Sequence, residues 1–252
     1  MNKTMSRFKA AAIHICISAT IAASVFVPIY FLWYPGDLFE SAGGLTLFLL
    51  IVGIDVCVGP LMTLIIFVQG KKGLAFDLWV IAILQASFLV YGVSTLAESR
   101  PIYVAFVKDR FELVRANHIP DSVLQENHMS RLLDLPWLGP KLVGVKFPTN
   151  PDEQFKVMIS GMAGVDIQCY PQYHVPYDSE RADVLAKAKP IANLAKFNKG
   201  LDVSALAKSV ARAEGDVRYL PLRAGSVDLT VLLDAKNADV LRLAAIKPWE
   251  FE

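Results

Sequence analysis

The chain has 252 residues, 54% of them hydrophobic, with a formal net charge of +1 and a mean hydropathy of +0.41. Residues 1–97 hold only nine charged side chains, whereas residues 98–252 hold 20 basic and 20 acidic ones. No basic excess is left for a nucleic-acid partner, and the chain divides into an apolar segment and one domain's length of ordinary soluble sequence.

Three apolar runs come first, at residues 10–33, 45–68 and 78–96. At about 1.5 Å per residue each is long enough, as a helix, to cross the hydrocarbon layer of about 30 Å. The first follows the basic lead MNKTMSRFK, so a cleaved signal peptide is its rival reading. The run continues past a signal core and ends in Tyr30, Trp33 and Tyr34, a pattern of interfacial aromatic residues, which favours a retained helix. Lys3, Arg7 and Lys9 precede the first run, and Lys71 and Lys72 lie between the second and third. The other loop, PGDLFESAGG, has two acids and no base. The positive-inside rule then predicts a cytoplasmic N-terminus, three crossings and residues 98–252 outside the membrane, which is the periplasm if the cell is Gram-negative.

The second run reads LIVGIDVCVGPLMTLIIF. Asp55 lies ten residues below Leu45, which is about 15 Å along a helix and places it at the midplane. A charge there costs about 2.5–3.5 kcal/mol on insertion scales, so Asp55 is expected to face protein. Gln85 of the third run falls at a similar depth. Two readings stand: Asp55 is a protonated acid hydrogen-bonded to Gln85, or it receives a polar group from a client's membrane helix. Gly53 and Gly59 permit close helix approach, and Pro60 frees a carbonyl near Val56 for another donor. The candidate intramembrane contact is therefore Asp55, Gly59, Pro60 and Gln85.

Beyond the third run, residues 101–116 contain two β-rich stretches around Lys108-Asp109, which predicts a hairpin. Val123, Leu124, Leu132 and Leu133 have helical spacing within 121–134. Asn150-Pro151-Asp152-Glu153 is a stronger helix start, with a cap, a proline in the first turn and acids behind it. A strand is expected at 167–170, and then comes the Tyr- and Pro-rich loop YPQYHVPYDSE. Asp178 or Ser179 should cap a helix that Pro190 interrupts, and a further helix is expected at 202–213. Strands at 217–222, 227–233 and 240–246 close the chain, the last two as a hairpin. The predicted fold is a three-helix transmembrane bundle, residues 1–97, followed by an α+β extracytoplasmic domain, residues 98–252, with a mainly antiparallel sheet.

Chemistry is scarce. His118, His128 and His174 lack metal-ligand spacing, and there is no CxxC, GxSxG, P-loop or GxGxxG motif. Cys169 and His174 are five residues apart, an arrangement that suggests a thiolate–imidazole pair only weakly; Cys169 reads instead as a buried apolar residue. Tyr170, Tyr173 and Tyr177 read as a loop packed on its own domain or as a recognition surface. No enzyme, cofactor or metal is expected.

The segments GIDVCVGPLMTLIIF, GKKGLAFDL and ESRPIYVAFVKDRFELV, with the closing VRYLPL and VDLTVLLDAKNADVLRLAAIKPW, resemble the TfpX/TfpZ family of type IV pilin accessory proteins. The likeness implies an inner-membrane protein that assists the stability or assembly of a type IV pilin, its client, and that lies in the lipid bilayer. It carries over no catalytic residue. A polytopic sensor or ligand-binding module is the alternative.

Overall fold

The computed structural model describes residues 5–131, 133–225 and 227–249; Lys3 and Leu132 fall outside them. Among the described residues three helices are long and apolar enough to cross a membrane: Arg7–Trp33, Gly44–Ile66 and Leu74–Glu98. Ile17, Phe31, Leu50, Ile65, Phe88 and Val90 are exposed on them, an outward apolar surface that suits lipid rather than water. Ser6 caps the first helix by accepting from the Lys9 amide at 3.3 Å. After Pro28, which has no N–H to give, the helix widens to a π turn over Ile29–Trp33. The second helix carries its own π segment, Gly53–Val58.

The C-terminal part is built on a mixed sheet of eight strands. These are β1 Pro101–Val107, β2 Arg110–Arg115, β3 Lys141–Val145, β4 His174–Pro176, β5 Lys189–Pro190, β6 Val217–Arg223, β7 Leu229–Asp234 and β8 Val240–Ala244. The order is β4-β3-β1-β2-β6-β7-β8, with β5 pairing to β6. The predicted hairpins form, β1 with β2 and β7 with β8, and Lys108 takes the first turn at φ 56. Most pairings are antiparallel, but β1–β3 and β2–β6 are parallel, each joined by a long connection. The sheet is thus mixed.

Strand alternation sorts the core. Val104, Phe106, Phe111, Leu113, Val231 and Leu233 belong to one apolar cluster, which also contains Tyr34, Leu38, Phe39, Ala42 and Leu96 from the helical segment. Tyr103, Ala105 and Val114 belong to a second cluster with Val123, Val157 and Cys169. Tyr219 and Leu232 join Leu194 and Ala207 in a third. Both faces of the sheet are covered, and one of the covers continues into the turn between the first two long helices.

Several sequence expectations are adjusted. The helix at 121–134 is only Asp121–Glu126, because Asn127 closes it and His128 turns left-handed at φ 54. Residues 167–170 are not a strand but a 3-10 turn, Ile167–Cys169, folded locally by the Cys169 amide donating to the Asp166 carbonyl at 2.9 Å. The helix before Pro190 is Arg181–Lys187 and has no side-chain cap; Asp178 pairs with Arg181 at 2.7 Å, and the Ser179 hydroxyl donates to the Pro176 carbonyl. The helix Pro151–Met162 forms as expected, with Asn150 accepting from the Asp152 amide. The helix expected at 202–213 is only Val203–Ser209, capped by Asp202 and closed before Ala211 turns left-handed at φ 54.

Candidate functional site

The second helix changes register where its polar residues sit. In the π segment backbone bonds run five residues back, and the Gly59 amide donates to the Ile54 carbonyl. In that register the donor owed to the Asp55 carbonyl is residue 60, and Pro60 has no N–H. Gln85 of the third helix fills the place: its Nε2 donates to the Asp55 carbonyl at 3.0 Å. The carbonyl released by Pro60 is therefore that of Asp55, one residue before the position expected for a regular α-helix. Gly59 makes the approach possible, since a Cβ there would collide with the Gln85 amide.

The chain of bonds continues to the first helix. Gln85 Oε1 lies 2.8 Å from His14 Nε2, and His14 Nδ1 lies 2.6 Å from the Thr63 hydroxyl. An amide oxygen only accepts, so His14 carries a proton on Nε2 toward Gln85, while its Nδ1 and the Thr63 hydroxyl share the second bond. The direction is then fixed from the His14 imidazole through the Gln85 amide to the Asp55 backbone, with Thr63 joined to the far side of the ring. One histidine, one glutamine, one threonine and one missing amide tie three helices together.

The Asp55 carboxyl is left out of this chain. Gln85 meets Asp55 at its backbone and not at its side chain. Asp55 is only 7% exposed, and its Oδ1 has no hydrogen-bond partner among the described residues. Beside it lies a cavity of about 190 Å³ whose walls come from all three helices, His14, Ser18 and Ile21 on one side and Ala82, Gln85 and Ala86 on the other. A buried acid oxygen with no donor is a group waiting for one.

The structure thus brings Asp55, Gly59, Pro60 and Gln85 together and adds His14 and Thr63, which the sequence reading passed over. His14 is the single histidine of the membrane segment. That was the available signal, but its place near the basic lead hid it. A threonine in an apolar helix carries no such signal.

The chemistry-bearing residues of the sheet domain are occupied in packing. Cys169 is 5% exposed, and its thiol is pushed up to about 12, first by burial and then by Asp166 and Glu112. His174 Nε2 donates to the Gln168 carbonyl at 2.8 Å, the ring packs edge-on against Tyr103, and burial lowers its pKa. Tyr170 and Tyr177 are buried, and the Tyr177 hydroxyl donates to the Ala238 carbonyl at 2.6 Å. A broad groove of about 660 Å³ lies between the β1–β2 turn and the helix Pro151–Met162, lined by Lys108, Arg110, Glu112, Phe147, Met158 and Met162 among others. Among the described residues no group of three His, Cys, Asp or Glu is placed to hold a metal ion.

Fold and site together define a membrane protein of three spanning helices, locked by an internal polar chain and continued into a mixed-sheet domain. The family model described as Fimbrial assembly protein FimB matches residues 2–36. A fimbrial assembly protein of serogroup I from Dichelobacter nodosus is 32% identical over 259 residues, covering 99% of this chain and 100% of that protein. The serogroup E1 protein of the same organism is 31% identical over the same lengths. A shorter relative from serogroups C1 and C2 is 37% identical over 123 residues, 47% of this chain and 94% of its own. The chain belongs to the fimbrial assembly protein family. No solved structure matches it significantly.

Proposed function

We propose that the protein is an inner-membrane accessory factor of type IV pilus assembly, of the TfpX/TfpZ kind, which holds a pilin subunit without chemically modifying it. In this reading residues 1–97 are the membrane unit, the N-terminus is cytoplasmic, and residues 98–252 are a periplasmic domain. Basic residues Arg7, Lys9, Lys71 and Lys72 on one side of the spans support that orientation. That the full-length relatives are named fimbrial assembly proteins supports the role.

The observation that carries the proposal is the donorless Asp55 oxygen beside a cavity walled by all three helices. A bundle built only for its own stability has no use for an unpaired acid at this depth. A client's apolar helix entering between the first and third helices brings a donor to it; Asp55 and Gln85 line the cavity and form the contact, while Gly59 and Pro60 set how closely Gln85 packs beside Asp55. The groove beside the helix Pro151–Met162 is available to the client's soluble part.

The test is pilin crosslinked per folded protein in cells that carry Asp55→Asn or Asp55→Leu. An amide keeps size and hydrogen bonding but loses the anionic acceptor. The expected result is normal abundance with weakened pilin recovery in Asp55→Asn. Recovery equal to the unaltered protein reduces Asp55 to a structural residue.

A further inference from the structure

The last turn of the first long helix is met by a loop of the sheet domain. The Trp137 ring lies 5.7 Å from that of Trp33. Arg100 holds the loop in place: its guanidinium sits 3.8 Å over Trp137, and its Nε donates to the Pro136 carbonyl at 2.9 Å. Gly139 has φ +87, and a Cβ built on it would stand 3.2 Å from the Leu32 carbonyl oxygen. The backbone therefore runs along the helix end where a side chain is not welcome.

Leu138 stands between these two contacts and is 83% exposed. Leu32, whose carbonyl faces Gly139, and Phe31 beside it in the helix are 41% and 65% exposed and belong to the spanning stretch Arg7–Trp33. Leu138 is thus held at the level of the last turn of the helix Arg7–Trp33. We propose that residues 136–139 are a lipid-surface anchor. Leu138 enters the edge of the hydrocarbon layer, while Trp33 and Trp137 lie among the headgroups, the depth that indole rings prefer. The partner is the bilayer itself, because the loop is continuous with a surface that the spanning helix already gives to lipid. The anchor fixes the height of the sheet domain above the membrane.

The test uses the full chain, with Cys16→Ala and Cys57→Ala, in nanodiscs of phosphatidylethanolamine and phosphatidylglycerol. Cys169 stays in place, being buried and poorly ionised. A nitroxide is attached at Leu138→Cys, with Phe31→Cys as the lipid reference and Lys236→Cys, whose side chain is 81% exposed in the β7–β8 turn, as the water reference. Collision with oxygen is compared with collision with a water-soluble nickel chelate. A Leu138 ratio close to that of Phe31 and several-fold above that of Lys236 is expected. A ratio equal to that of Lys236 overturns the anchor. Exclusion of both reagents overturns it as well, since a second copy of the chain then covers the loop. The inference rests on the first helix spanning the bilayer, and the Phe31 label reports on that separately.

Discussion

His174 and Asp55 are both polar groups set in apolar surroundings, and the protein treats them in opposite ways. His174 is satisfied through Gln168 and kept neutral by burial, its pKa lowered from 6.5. Below that ordinary value the unfolded chain binds a proton that the folded chain refuses, so stability is full above it and falls as pH drops toward the folded value. The apparent melting temperature of the detergent-solubilised protein should therefore decline between about pH 7.5 and pH 5.5. His174→Gln keeps a donor for Gln168 and cannot titrate, so its decline should be shallower by the His174 share. An unchanged slope would refute the buried neutral imidazole. Asp55, by contrast, has an oxygen without a donor among the described residues, and the proposed client contact rests on that difference.

At the level of the element, the second helix depends on its neighbour for a backbone bond. Gln85→Leu removes the donor to the Asp55 carbonyl and the acceptor for His14, a loss of about 1–3 kcal/mol for unsatisfied buried groups. Pro60→Ala restores an amide proton within reach of the same carbonyl. The double variant Gln85→Leu/Pro60→Ala should melt higher than the sum of the two single effects allows, a coupling read directly from a double-mutant cycle. Strict additivity would mean that Gln85 does not replace the missing proline amide. Much of this element was legible in the sequence. An acid at the midplane and a glutamine at matching depth are each unfavourable in lipid, and a glycine and a proline one turn on make them conspicuous together. The π register was not legible, because nothing local in GIDVCVG announces a bond five residues back. Strands β3, β4 and β5 were missed for a related reason: KLVGV, HVP and KP are too short to show a period, and their pairing comes from β1, β3 and β6, distant in sequence.

For the whole molecule, the hairpins and the three apolar helices were set by periodicity and charge, while the parallel pairings were not, since long connections leave no local trace. Orientation is the property to test at this scale. Alkaline phosphatase joined after Arg110 should be active and the same reporter joined at Gly70 inactive, as the positions of the basic loops require. The reverse pattern would place the sheet domain in the cytoplasm and remove it from any pilus on the cell surface.

The turn between the first two helices has a further consequence. Asp37 accepts the Ala245 amide at 2.9 Å and pairs with Arg242 of β8 at 3.6 Å, while the Tyr34 hydroxyl donates to the Leu96 carbonyl at 3.1 Å and lies 3.0 Å from the Ser99 hydroxyl. The strap that joins two cavity walls is thus riveted to the closing edge of the sheet and to the end of the third wall. A load applied at β8 arrives at the tips of the helices that enclose Asp55. If a client is held in the bilayer as proposed, the sheet domain and the helices around that client are coupled through this strap rather than joined by a free linker.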